Sequence, residues 1–122
     1  MAKRILDIGN CSLDHGAITH MIRTNFDAEV DQANAAADAL PMIQKNDYDL
    51  VMVNRILDMD GSCGMEVIVE VQKQNSNLPV MLITNFAEHQ DAAVAAGAVR
   101  GFGKNAVGSP QAIELLAAYL SE

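Results

Sequence analysis

DLVMV, residues 49–53, is apolar at every position after the first. A strand with one face in water alternates apolar and polar residues. A run without alternation is buried on both faces, as in a parallel sheet with helices on each side. Outward from this run, strand-like and helix-like segments take turns. Upstream, Arg4–Ile8 reads as a first strand. Ala17, Ile18, Met21, Ile22 and Phe26 follow the i, i+3, i+4 rhythm of an amphipathic helix, with Ser12 or Asp14 placed to cap it. Ala28–Val30 is a short second strand. Ala35–Lys45 is a second helix with Pro41 inside it, so a kink or a split is expected there.

Downstream, Val67, Ile68 and Val71 mark a third helix, and Pro79–Thr84 (PVMLIT) a fourth strand. Ala87–Ala96 is an alanine-rich helix that Gly97 is placed to end. Val99–Gly103 is a short fifth strand. Ser109-Pro110 has the order of an N-cap and an N1 proline, opening a last helix carried by Ile113, Leu115, Leu116, Tyr119 and Leu120. Five βα units in succession predict an α/β domain: a (βα)5 doubly wound parallel five-stranded sheet of order 2-1-3-4-5. In such sheets the site lies past the carboxyl ends of the strands. That rim gathers Gly9–Ser12, Asn54–Asp60, Thr84-Asn85 and Lys104-Asn105.

The 122 residues are enough for a single domain over 1–122, with no linker or output domain expected. Half of them are apolar, so a core can form without metal or disulfide staples. The net charge of −8, with no lysine- or arginine-rich run, argues against a nucleic-acid surface. No apolar run is long enough for a membrane span, and the opening MAKRILDIGN lacks the apolar core of a signal peptide. A cytoplasmic location is expected. Cys11 and Cys63 form neither a disulfide framework nor a zinc motif, and His15, His20 and His89 show no ligand spacing with them. The histidines read as helix-surface residues. Met21, Met42, Met52, Met65 and Met81 read as core filler.

DLVMVN followed by DMDG, then GMEVI, PVMLITN, AAGAVRGFGKN and the serine-proline helix occur in one order and spacing. Together they make the chain resemble the CheY-like receiver domains of response regulators, whose fold is flavodoxin-like, over nearly its full length. The resemblance implies a rim with set roles: two acidic residues after the first strand hold magnesium, and an aspartate ending the third strand becomes an acyl phosphate. A threonine or serine ends the fourth strand, and a lysine ends the fifth, preceded by an aromatic residue that changes rotamer. Thr84, Lys104 and Phe102 fall on the last three positions. Gly9 and Asn10 fall on the acidic pair, and Asn54 on the phosphoacceptor. Asn105 stands where the family favours a proline in a cis bond, so a trans bond is expected. Ser62-Cys63 are extra residues before Gly64. Sliding Asp7 onto the acidic position would turn the first strand over, and Asp58 and Asp60 lie too far along their loop.

An asparagine amide offers no oxygen comparable to a carboxylate nucleophile. Magnesium requires hard anionic oxygens, which Gly9, Asn10 and Asn54 do not supply. The expectation is therefore a degenerate receiver: no enzyme, no resident cofactor, weak or absent magnesium binding, and no phosphoryl transfer. Lys104 would turn to Asp7, Asp58 or Asp60, or stay hydrated. Function would then be binding, through the fourth helix, fifth strand and fifth helix (residues 87–96, 99–103 and 110–121), to a protein partner or a second copy. The small residues Ala92, Ala93, Ala95 and Ala96 either allow a close approach there or only pack on the sheet. Two alternatives stand beside it. A rim around Lys104 and Thr84 could take a small anion, or Cys11 and Cys63 could act as a redox switch. Leu6–Ser12 also has a superficial likeness to the phosphate loop of actin-type kinases and to the flavodoxin turn. The first needs a longer chain and the second more hydroxyl residues.

Overall fold

The computed structural model describes residues 2–121. Its elements run β1 (Lys3–Ile8), α1 (Ser12–Asn25), β2 (Ala28–Ala33), α2 (Ala36–Lys45), β3 (Leu50–Asn54), α3 (Gly64–Gln74), β4 (Val80–Ile83), α4 (Ala87–Ala95), a 3-10 turn (Lys104–Ala106) and α5 (Pro110–Leu120). The strands are parallel in the order β2-β1-β3-β4.

Strand alternation divides the core in two. Leu6, Ile8, Val51, Val53, Val80 and Leu82 face α2 and α3, meeting Ala39, Ile43, Val67, Ile68 and Val71. Ile5, Leu50, Met52, Met81 and Ile83 face the other way, onto Ile18, Met21 and Ile22 of α1 and Ala112, Leu116 and Leu120 of α5. Every residue of β3 is buried, which is why its sequence shows no alternation.

Three expectations change. Pro41 lies inside one continuous helix. Its ring is exposed, so only the single backbone bond is lost and α2 is not split. The helix start at Ser12 follows Cys11 with no side-chain cap, so neither Ser12 nor Asp14 has that role.

The fifth strand is reduced to one parallel bridge, Met81 with Val99. Val99 N–H still donates to Val80 C=O at 2.9 Å, but the next rung is carried by a side chain. Gly101 N–H donates to Gln90 Oε1 at 2.9 Å, and Gln90 Nε2 donates to Leu82 C=O at 2.9 Å. The carboxamide of α4 thus supplies what a ladder bond would, and Gln90 is buried. Gly101 and Gly103 belong to this arrangement: a Cβ on either would overlap Leu82 O or Asn85 Oδ1.

Two cap expectations hold. Ser109 Oγ accepts from Ala112 N–H at 3.2 Å, and Gly97 ends α4 at φ +108°. The 104–105 peptide is trans, as is every described bond.

Candidate functional site

β1 and β3 pair with Ile8 beside Val53, so Gly9 comes level with Asn54 at the carboxyl edge. Gly9 adopts φ +81°, a region costly to any residue with a Cβ. The fully buried Leu57 lies directly over it: a Cβ on Gly9 would overlap Leu57 Cγ and stand 3.0 Å from Leu57 Cβ. Gly9 C=O accepts from Asp58 N–H at 2.8 Å and from Asn54 Nδ2 at 3.2 Å. The Asn54 amide is therefore buried and used to fasten β3 to the β1 turn. The loop that follows closes as a small hairpin, with Ile56 bridged to Cys63, Leu57 N–H on Ser62 C=O and Gly61 at φ +69°. Ser62 and Cys63 form the returning side of this hairpin. Asp60 is ionised at its tip, its carboxyl held below the ordinary range by Ser62.

Asp7 pairs with Met52, two rows short of Asn54, so it does not stand at the acidic position. It shares a sheet face with Ile5 and points under α1. There Asn10 Nδ2 donates to its Oδ1, and His15 Nδ1 lies 2.7 Å from its Oδ2. Burial pushes the Asp7 carboxyl above its ordinary value, against the lowering pull of Asn10 and His15. His15 is thus no helix-surface residue, a correction to the sequence expectation. Asn10 is buried too, and its Oδ1 has no hydrogen-bond partner.

The residues at this edge do not fit a magnesium ion. Gly9 has no side chain, the amide nitrogens of Asn54 and Asn10 are turned into hydrogen bonds, and Asp7 is held by His15. The neutral amide oxygens of Asn10 and Asn54 are no replacement for carboxylates. Among the described residues no cluster of three or more His, Cys, Asp or Glu could hold a metal.

Lys104 reaches none of its expected partners and is not left to water. Its Nζ lies 2.9 Å from Asp14 Oδ2, in the first turn of α1. Lys104 holds the Asp14 carboxyl below its ordinary value, and Cys11 Sγ adds a contact at 3.3 Å. Thr84 is buried at the end of β4, with Oγ1 at 3.4 Å from both Phe86 N and His89 Nδ1. His89 meets the Phe86 ring edge-on at 5.3 Å. Phe102 is buried against the α1–α5 side of the core, and its C=O accepts from Thr84 N–H at 3.1 Å. Asn54, Arg55, Thr84, Asn85, Phe86 and Lys104 line a cleft of about 230 Å³. Both cysteines are free thiols.

On the face offered by α4, residues 98–103 and α5, Ala93 is buried while Ala92, Ala95 and Ala96 are exposed, as is Val94. Asp91 and Arg100 form an ion pair across it. Reading the sequence alone missed Asp7, His15, Asp14 and Gln90 as structural partners. The one visible signal was a carboxylate inside the otherwise apolar stretch Ile5–Ile8.

A parallel α/β sheet with helices on both faces, and a rim of polar groups at the carboxyl ends of its strands, is a flavodoxin-like fold. Residues 14–106 match the response regulator receiver domain family, and the chain belongs to that family. No curated protein matches the sequence. A putative response regulator from Chloroflexus aurantiacus has the same fold, with a TM-score of 0.84 at 19% identity over 100% of both chains. NtrX from Brucella abortus gives a TM-score of 0.77 at 23% identity, covering 97% of this chain and 26% of that one. A Burkholderia pseudomallei response regulator, solved with a phosphorylated aspartic acid, a calcium ion and citrate, gives 0.74 at 19% identity. It is matched over 98% of this chain and 66% of its own. The chain thus spans about a quarter of NtrX and about two thirds of the Burkholderia protein. Among the described residues no helix is long and apolar enough to cross a membrane.

Proposed function

We propose that this receiver domain takes no phosphoryl group and signals by binding a protein through α4, residues 98–103 and α5. The observation that carries this reading is the Gly9–Leu57–Asn54 arrangement. The amide of Asn54 replaces a nucleophilic carboxylate. The backbone of Gly9, under Leu57, leaves no space for an acidic side chain at the paired position. Nucleophile and cation site are missing together, and phosphoryl transfer depends on both. The Burkholderia relative carries its phosphoryl group on an aspartate, the residue type absent from position 54 here.

What remains is a module with a core, a rim closed by Lys104 and Asp14, and an exposed face of small residues. A cytoplasmic partner protein, or a second copy of the chain, is the ligand this reading assigns to that face. The rival in which a small anion sits at Lys104 and Thr84 is weakened by geometry, since the anion must displace Asp14 from Lys104.

Incubation with acetyl phosphate, and separately with beryllofluoride, each with magnesium, tests the proposal. Intact mass and amide spectra are expected to stay unchanged. A stable gain of one phosphoryl group, or a magnesium-dependent spectral change, would overturn it.

A further inference from the structure

A second surface lies between the first turns of α2 and α3, bordered by the β3–α3 loop at Asp60, Ser62 and Cys63, where the two helices flank a concavity of about 560 Å³. Ala36 and Ala37 form a shallow wall on one side, and Val67 and Val69 stand on the other. Val67 reaches the core, whereas Val69 is 40% exposed and fronts the groove. A single exposed valine needs no explanation. Here it borders a continuous apolar floor that small α2 side chains leave unfilled. Gln74 Nε2 donates to Leu40 C=O at 2.9 Å, tying the end of α3 to the middle of α2. The groove is thus held at one end by a hydrogen bond and is part of the fold.

Its electrostatics have one sign. Asp60, Glu66 and Glu70 line it, and no lysine, arginine or histidine does. Lys73 approaches Glu70 at 3.6 Å, from outside the lining. Pro41 adds a neutral acceptor. Proline has no N–H, so the α-helical bond to Ala37 C=O cannot form, and Ala37 is exposed at the groove lip.

We propose that the α2–α3 groove docks a basic amphipathic helix of a partner protein. Its aliphatic stripe would lie against Val67, Val69 and Ala36, and flanking lysines or arginines would meet Asp60, Glu66 and Glu70. An apolar floor with a charged rim is what helix-in-groove recognition uses, and the acidic rim selects the sign of the visitor. A second copy of this chain cannot supply that helix. Its own helices carry at most one lysine or arginine each, Arg23 in α1, Lys45 in α2 and Lys73 in α3, and none in α4 or α5. Nucleic acids and anionic membranes carry the repelled charge. This surface is separate from the α4–α5 face, and its test does not depend on that one.

The test is an amide NMR titration of the full chain with a designed helical peptide of roughly 14 residues, a leucine stripe flanked by lysines. Its counterpart has glutamate in place of every lysine. The lysine peptide is expected to bind and to shift the amides of Ala36, Ala37, Val67 and Val69, while the glutamate peptide leaves them in place. Glu66→Lys with Glu70→Lys is expected to weaken binding about tenfold, as two attractions become repulsions. Val69→Lys is expected to weaken it similarly, and Glu114→Lys on α5 to leave it unchanged. All four substituted residues are exposed, and the unbound spectrum reports that each of the three variants is folded. Absence of binding overturns the proposal. So do shifts centred on Leu115–Tyr119 or scattered over the acidic surface, and so does affinity that survives charge reversal in the groove.

Discussion

Lys104 Nζ stands 2.9 Å from Asp14 Oδ2, so the lysine at the end of the sheet is tied to the first turn of α1. A carboxylate in that turn is also favoured by the helix dipole. Both side chains are about one-third exposed, so solvent screens the pair and Lys104→Met is expected to cost only about 0.5 kcal/mol at neutral pH. Lys104 depresses the Asp14 carboxyl, so its stabilisation is present above the ordinary value of 3.8 and disappears as pH falls through the depressed one. Urea midpoints over an acid pH series should show wild type and variant converging. A gap that stays constant into strong acid contradicts the assignment.

Asp7 acts in the opposite direction. Burial raises its carboxyl, so the native state holds that proton more tightly than the unfolded chain. Its contribution is full below 3.8 and is lost as pH rises through the raised value. His15 and Asn10 hold the two oxygens, and Asp14 adds a like charge nearby. Relative to wild type, Asp7→Asn should therefore gain stability as pH rises from about 4 towards neutrality. Paired denaturation curves measure this, and a difference independent of pH counts against it.

Gly9→Ala should destabilise the fold by about 2–4 kcal/mol, combining a left-handed backbone with overlap on Leu57. In the double variant with Leu57→Ala the overlap on Cγ is removed and only the tight approach to Cβ remains, so the two losses should sum to more than the double variant shows. Guanidinium unfolding of the four proteins gives the cycle. A Gly9→Ala variant within 0.5 kcal/mol of wild type would remove the steric argument.

Asn54→Asp restores a nucleophilic carboxylate without a cation site. Labelling by acetyl phosphate with magnesium, followed by intact mass, is expected to stay at background. Robust labelling of that single variant shows that Gly9 and Asn10 do not prevent magnesium from binding.

Gln90→Leu keeps the volume but leaves Gly101 N–H and Leu82 C=O without their partner. The expected loss is about 2–3 kcal/mol, with hydrogen exchange at Gly101 accelerated well beyond that at β3. Unchanged protection at Gly101 would mean another group takes over the bond.

The alternation of strands and helices was legible because burial on two faces leaves its mark in DLVMV, and because Ser109-Pro110 and Gly97 act locally. Placing Gly9 beside Asn54 followed from the register that the family resemblance implies, and the ladder agrees. The fifth strand was not legible in the same way. Val99–Gly103 has the composition of a strand, yet its pairing is decided by a glutamine on another element. Pro41 was over-read, since an exposed ring costs one bond without splitting the helix. The partners of Lys104 and His15 depend on how α1 packs over the sheet, and no local pattern encodes that.

A rung built from a side chain travels with the helix that carries it. Gln90 fastens residue 101 to α4 as well as to β4, so tilting that helix levers Phe102 and Lys104 at the other end of a short backbone span. The clasp makes the position of α4 and the course of the backbone into the rim one mechanical unit.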